Sequence, residues 1–86
     1  NRWGMEKIRQ GLKAKGVHPR LIEDALGEID EAVYRETLQT LLDQKLNSLR
    51  NEALVQKKNK AARFLIGKGY EQPLVWEAIG DALDEG

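Results

Sequence analysis

Leu65-Ile66-Gly67-Lys68-Gly69-Tyr70-Glu71-Gln72-Pro73-Leu74-Val75-Trp76-Glu77-Ala78-Ile79-Gly80-Asp81-Ala82-Leu83 has a counterpart earlier in the chain, and that recurrence decides the fold. A shift of 53 residues lays residues 7–29 over residues 60–82. Lys7 then meets Lys60, Leu12 meets Leu65 and Lys15-Gly16 meets Lys68-Gly69, while Leu21, Ala25 and Gly27 meet Leu74, Ala78 and Gly80. Self-similarity at a fixed offset marks a repeat architecture, in which each unit buries its apolar face against its neighbours. The repeated unit reads as a helix, a tight stop and a second helix. Gly16 and Gly69 each follow an amphipathic run, at the place where a helix turns into the left-handed region that glycine enters without a Cβ clash. Counting back from these glycines pairs Leu12 with Val17 and Leu65 with Tyr70, the apolar contact of a Schellman stop. Lys15 and Lys68 fall in the last turn, where a cation meets the negative end of the helix dipole.

Outward from these stops, the apolar spacing is helical throughout. Met5, Ile8 and Leu12 recur at intervals of three and four, predicting a helix over residues 5–15. Gly11 weakens it by about 1 kcal/mol relative to alanine, so close packing of a neighbouring helix is expected there. Pro19 suits the first turn of the next helix, residues 19–29, which is expected to bury Leu21, Ile22, Ala25, Leu26 and Ile29. Asp30 is placed to cap a third helix. Residues 31–50 contain neither proline nor glycine and carry Val33, Tyr34, Leu38, Leu41, Leu42, Leu46 and Leu49, so they form the longest element and the spine. That spine is expected to cover part of the preceding stripe and to leave the rest open. A turn near Asn51 leads into residues 53–68, with Leu54, Ala61, Phe64 and Leu65 inward. The last helix starts within Tyr70-Glu71-Gln72-Pro73 and buries Leu74, Val75, Ala78, Ile79 and Leu83. No stretch alternates with period two. The expectation is an all-α fold of tandem three-helix repeats with about five helices: residues 1–29 supply helices 2 and 3 of an incomplete repeat, and residues 30–86 a complete one.

Composition narrows the function. The 86 residues include no cysteine, which excludes disulfides and thiolate metal sites and permits a reducing compartment. No apolar run is long enough to span a membrane, and the N-terminus shows no signal-peptide pattern. The first residue is Asn1 rather than methionine, so the chain is read as a piece of a longer protein. Fourteen basic and fourteen acidic residues cancel, but they are sorted by position. Lys7, Arg9, Lys13 and Lys15 precede the first glycine stop, and Lys57, Lys58, Lys60, Arg63 and Lys68 precede the second. Glu23, Asp24 and Glu28, then Glu77, Asp81 and Asp84, follow them. Basic and acidic ridges of this kind meet polyanions and basic surfaces respectively.

Catalytic chemistry finds no constellation here. His18 is the single histidine and sits beside a helix start, where it reads as an exposed cap with no partner for a dyad or a metal cluster. Residues 11–16 have the outer glycine spacing of a phosphate loop, but Val17-His18 replace its Lys-Ser/Thr pair and no strand precedes it. An enzyme, a cofactor and a small-molecule substrate are not expected. The candidate partner-binding residues are Lys7, Arg9 and Lys13, off the inward positions Ile8 and Leu12; Lys57, Lys58, Lys60 and Arg63; and the aromatic residues Trp3 and Trp76.

Arg2-Trp3-Gly4-Met5-Glu6-Lys7-Ile8-Arg9-Gln10-Gly11-Leu12-Lys13-Ala14-Lys15-Gly16-Val17, followed by Leu21-Ile22-Glu23-Asp24-Ala25-Leu26, resembles the second repeat of the RecX regulatory proteins. Their pattern is a glycine, then Ile-Arg-x-x-Leu-x-x-Lys-Gly-Ile, then Ile-x-x-Ala-Leu. Phe64-Leu65-Ile66-Gly67-Lys68-Gly69-Tyr70, with Val75 and Ala78-Ile79, is similar to the third repeat. Gly11 stands where that family commonly has a helix former, and Lys68 where it has arginine. The resemblance implies a curved, cytoplasmic array of three-helix repeats without catalytic activity. It also implies a partner, the RecA recombinase filament on single-stranded DNA, whose ATP hydrolysis and strand exchange the family restrains in recombination and the SOS response. The other readings of the residues are a helical nucleic-acid-binding module touching DNA directly, and a structural adaptor.

Overall fold

The computed structural model describes residues 2–83, and five helices follow one another within them: α1 Met5–Ala14, α2 Pro19–Gly27, α3 Glu31–Ser48, α4 Leu54–Gly67 and α5 Gln72–Leu83. No strand occurs among the described residues, and Asp84 of the acidic ridge lies outside them.

Both glycine stops form as the repeat predicts. Gly16 has φ +80° and Gly69 φ +97°. The Gly16 and Val17 amides donate to the carbonyls of Lys13 and Leu12 at 3.0 and 3.1 Å, and those of Gly69 and Tyr70 to Ile66 and Leu65 at 2.9 and 3.2 Å. These nested bonds are the 5→2 and 6→1 pairs of a Schellman motif. Lys15 and Lys68 are therefore caps, and α1 and α4 each end one residue earlier than the apolar spacing alone suggests.

Helix starts are equally local. The His18 imidazole Nδ1 accepts from the Arg20 amide at 3.1 Å, ahead of Pro19 at the first helical position. The Asp30 carboxylate accepts from Ala32 and Val33 at 2.9 and 3.1 Å, satisfying two donors that the first turn of α3 otherwise leaves without partners. The end of α3 comes at Ser48 rather than at residue 50, where the Ser48 hydroxyl donates to the Lys45 carbonyl at 2.7 Å. Such side-chain bonds compete with helix propagation.

The core belongs to α3, α4 and α5. Tyr34, Leu38, Leu41 and Leu42 line one face of α3 and meet Ala61, Ala62 and Leu65 of α4 and Val75 and Ile79 of α5. Two alanines side by side let the helix backbones approach, and Leu42, Leu65 and Val75 are sealed at 0 % exposure. Each such side chain contributes about 1.5–3 kcal/mol on burial.

Four expectations about packing change. Helix α2 ends at Gly27 rather than residue 29 and packs on α1, so the spine meets only the end of the expected stripe: Ile29 is partly buried against the core and Ile22 and Leu26 are buried, while Leu21 is 60 % exposed and Ala25 lies open. Val33 is likewise exposed, one residue ahead of the buried Tyr34. Leu54 is exposed because it opens α4 at the far end of the bundle, past the last residue of α3. Around Gly11 an added Cβ would meet nothing within 4 Å, so no neighbouring helix compensates for that glycine. The α1–α2 hairpin is thus an arm on a three-helix body, and the whole measures 44 × 23 × 19 Å.

Candidate functional site

The arm is joined to the body through backbone groups. At the N-terminus of α1 the Gly4 and Glu6 amides donate to the carbonyls of Lys68 and Gly69 at 2.7 and 2.9 Å, and the Met5 amide donates to the Tyr34 hydroxyl oxygen at 2.8 Å. The donors α1 leaves unsatisfied are thereby matched to the carbonyls just past α4, with the positive end of one helix dipole facing the negative end of another. Tyr34 in turn donates to Glu71 Oε1 at 2.6 Å, and the Tyr70 hydroxyl donates to the Arg2 carbonyl at 3.0 Å. The two tyrosine rings lie 5.2 Å apart, tilted by 38°. Gly4 is buried with the Gly69–Tyr70 backbone where its side chain would be, so this junction tolerates no Cβ.

Burial pushes the Tyr34 phenol well above its ordinary value, and its hydrogen bond to Glu71 adds to the shift; burial raises Tyr70 as well. Replacing Tyr34 by phenylalanine keeps the ring but leaves the Met5 amide and Glu71 without this partner, at an expected cost of about 1–3 kcal/mol in urea melts. The alkaline limb should change too. A phenol whose folded pKa is raised above 10.0 stabilises the fold fully below that pH and loses the contribution as pH rises past it. Tyr34→Phe should therefore flatten the fall in melting temperature above about pH 10; a cost below about 0.5 kcal/mol with an unchanged alkaline limb would remove the hydroxyl from the joint.

The charged candidates are distributed around this joint unequally. Arg9 is engaged inside the fold: its guanidinium spans α1 and α2, reaching Glu23 at 3.1 and 3.2 Å and Glu6 at 3.2 Å. The hydrogen bond to Glu23 holds its pKa above the ordinary arginine value. Lys13, one turn on, is exposed beside a small apolar dent formed with Pro19 and Ile22. Lys7 points elsewhere, its ammonium 5.2 Å from the centre of the Trp3 ring. Trp3 is 45 % exposed and borders a cleft of about 270 Å³ with Ile8, Ile29, Val33, Tyr34 and Thr37. On α4, Lys58 shares the helix face of Ala61, Ala62 and Leu65 and is half-buried, whereas Arg63 is exposed. Lys60 reaches Glu52 at 2.9 Å and Lys57 is half-buried. Trp76 is 44 % exposed on α5, beside Glu77, which pairs with Arg35 of α3 at 3.5 Å.

A grouping that the sequence did not single out lies between α3 and α4. The ammonium groups of Lys45 and Lys68 stand 5.1 and 5.3 Å from the centre of the same ring, that of half-buried Phe64. Lys68 is one helical turn after Phe64, a spacing legible in the sequence; Lys45 arrives from another helix and is not. Among the described residues no group of three or more histidine, cysteine or acidic side chains could hold a metal ion, and no helix is long and apolar enough to cross a membrane.

Comparison with known proteins agrees with this architecture. The family model described as RecX, third three-helix domain, matches residues 33–79, and the model for the second three-helix domain matches residues 1–26. Among curated proteins, the chain is similar to the Regulatory protein RecX of Clostridium botulinum, with 36 % identity over 83 residues that cover 94 % of this chain and 39 % of the relative. The Regulatory protein RecX of Clostridium tetani is 33 % identical over 86 residues, covering 98 % of this chain and 38 % of the relative. That of Streptomyces coelicolor is 30 % identical over 78 residues, covering 91 % and 42 %. The chain thus spans about two fifths of the length of these relatives. No solved structure gives a significant match. With successive domain models matched in order across one helical array, the chain belongs to the RecX family.

Proposed function

We propose that this chain is part of a non-catalytic cytoplasmic regulator that binds the RecA recombinase filament on single-stranded DNA and restrains its ATP hydrolysis and strand exchange. The observation that supports it best is the tandem match to two RecX domains. The joint fits the same reading, because a partner that repeats along a filament is best met by units held at a fixed mutual angle. The units are residues 1–29 and residues 30–86, meeting where α1 abuts the end of α4. Exposed Lys7, Lys13 and Arg63 and the two tryptophans are the contact residues proposed for this role. Arg9 contributes by fixing α2 on α1.

The test is co-sedimentation with RecA filaments formed on single-stranded DNA, with ATP hydrolysis followed in parallel. The chain should sediment with filaments and slow hydrolysis. Reversing Lys7, Lys13 and Arg63 to glutamate should weaken capture about tenfold, since exposed charges contribute about 0–1 kcal/mol each and 1.4 kcal/mol is a factor of ten. Failure of the unmodified chain to sediment with filaments would overturn the assignment.

A further inference from the structure

Helix α4 reads Leu-Val-Gln-Lys-Lys-Asn-Lys-Ala-Ala-Arg-Phe-Leu-Ile-Gly and contains no acidic residue, in a chain whose total charge is zero. Lys57, Lys60, Phe64 and Lys68 follow one another at three, four and four residues, which sets them in a row along one side of the helix. The row spans about 16 Å at 1.5 Å per residue. Lys45 joins it from α3 at the Phe64 ring. Lys45 and Lys68 thus share one aromatic ring, and neither they nor Lys57 has a carboxylate within 4.0 Å among the described residues. The joint lays Lys7 against Gly69, at the same end of α4 as Lys68.

We propose that this α3–α4 ridge, centred on Phe64 and formed by Lys45, Lys57, Lys60 and Lys68, docks the phosphate backbone of a single nucleic-acid strand. Two ammonium groups 5.1 and 5.3 Å from one ring centre concentrate positive charge on this part of the surface, which favours an anion there. A row of such groups calls for anions in a row. A row of about 16 Å spans several successive phosphates of one strand. The side chains suit a backbone of repeating phosphates: lysine is a flexible point charge that follows anions in a row, and the planar fork that clamps a single carboxylate or phosphate is supplied by this helix only at Arg63. Lys60 exchanges its exposed partner Glu52 for a phosphate at little cost. The proposal goes beyond the filament reading, and its test contains no recombinase, so that either can fail alone.

The experiment is fluorescence anisotropy of the chain with a labelled oligothymidylate across a salt series, beside the variant Lys45→Gln/Lys57→Gln/Lys68→Gln. The unmodified chain should bind in a salt-dependent manner. The variant should lose at least about tenfold in affinity at low salt, and its plot of log affinity against log salt should be shallower by about 2, from about 0.7 per phosphate contact on a single strand. Lys45→Arg/Lys57→Arg/Lys68→Arg should retain the slope, which guards against a folding defect in the glutamine variant. A control pair on the arm, Lys15→Gln/Arg20→Gln, should change affinity less than about twofold, as charges away from the phosphates contribute little. Absence of salt-dependent binding by the unmodified chain, or equal losses in the ridge triple and the arm pair, would overturn the proposal. Competition by polyglutamate as effective as by unlabelled oligothymidylate would overturn it in favour of an acidic protein surface.

Discussion

Gly69→Ala should cost about 3 kcal/mol or more, while Gly16→Ala at the equivalent position of the other repeat should cost about 1 kcal/mol. The two glycines share a backbone role: both lie at positive φ, +80° for Gly16 and +97° for Gly69, and both close a Schellman stop. A left-handed conformation costs an ordinary L-residue about 1–2 kcal/mol, and this part of the penalty is common to both. Surroundings separate them. A Cβ at Gly16 enters open space, whereas a Cβ at Gly69 would sit 2.5 Å from both the amide nitrogen and the Cβ of Lys7. To admit it α1 must retreat, and retreat breaks the bonds from the Gly4 and Glu6 amides to this turn. Two backbone bonds at about 1 kcal/mol each make up the difference. Urea denaturation of both variants at one temperature provides the measurement. Equal losses would mean that α1 is not held against this turn in solution.

The pair also shows which parts of the fold are legible in a sequence. Both stops, the His18 and Asp30 caps and the apolar faces of α3 and α5 are written in residues within one or two turns of each other. The 53-residue offset adds the order of helices by analogy between the copies. Equivalence in sequence does not extend to equivalence in contact. Gly16 and Gly69 align, but only Gly69 receives another helix end, because the joint is made by main-chain carbonyls and two tyrosine hydroxyls at separations of 29 to 68 residues. Backbone donors and acceptors are the same at every residue and leave no pattern to read. Leu21 illustrates the same limit: its spacing places it on an apolar stripe, yet no described helix covers it, and it is exposed.

The charged surface was legible as composition and not as geometry. Arg9 looked equivalent to Lys7 and Lys13, but Glu23, fourteen residues on, draws it into the α1–α2 contact. The Lys45–Phe64–Lys68 cluster needs the antiparallel packing of α3 on α4 before its three members meet. Charge counting therefore picks out a helix without acidic residues but not the ring around which its lysines gather.

The second large effect is expected at Gly4, where conformation and contact can be separated completely. With φ −74° and ψ 167°, Gly4 has an extended backbone that any residue adopts, so Gly4→Ala carries no dihedral penalty. All of its cost is steric. The added methyl would overlap the carbonyl carbon and oxygen of Gly69 and the nitrogen of Tyr70, which are backbone atoms in a closed turn and cannot swing aside as a long side chain would. The Arg2–Glu6 segment must lift off. Four bonds then go together: Gly4 to Lys68, Glu6 to Gly69, Met5 to Tyr34, and Tyr70 to Arg2. At about 1 kcal/mol each, the loss is about 4 kcal/mol of docking free energy. The three-helix body keeps its own core, since none of Leu42, Leu65, Val75 and Ile79 is touched. The arm buries only Ile22 and Leu26 and has little to hold it once detached. Hydrogen exchange should accordingly show the Met5 and Glu6 amides and both arm helices, of 10 and 9 residues, exchanging rapidly while the body stays protected. Under the proposed filament reading, capture should fall with it although no charged residue has changed, because arm and body no longer present their surfaces at one fixed angle. Uniform loss of protection across all five helices would instead make arm and body a single cooperative unit; full protection of Met5 would show that the turn yields to the methyl group.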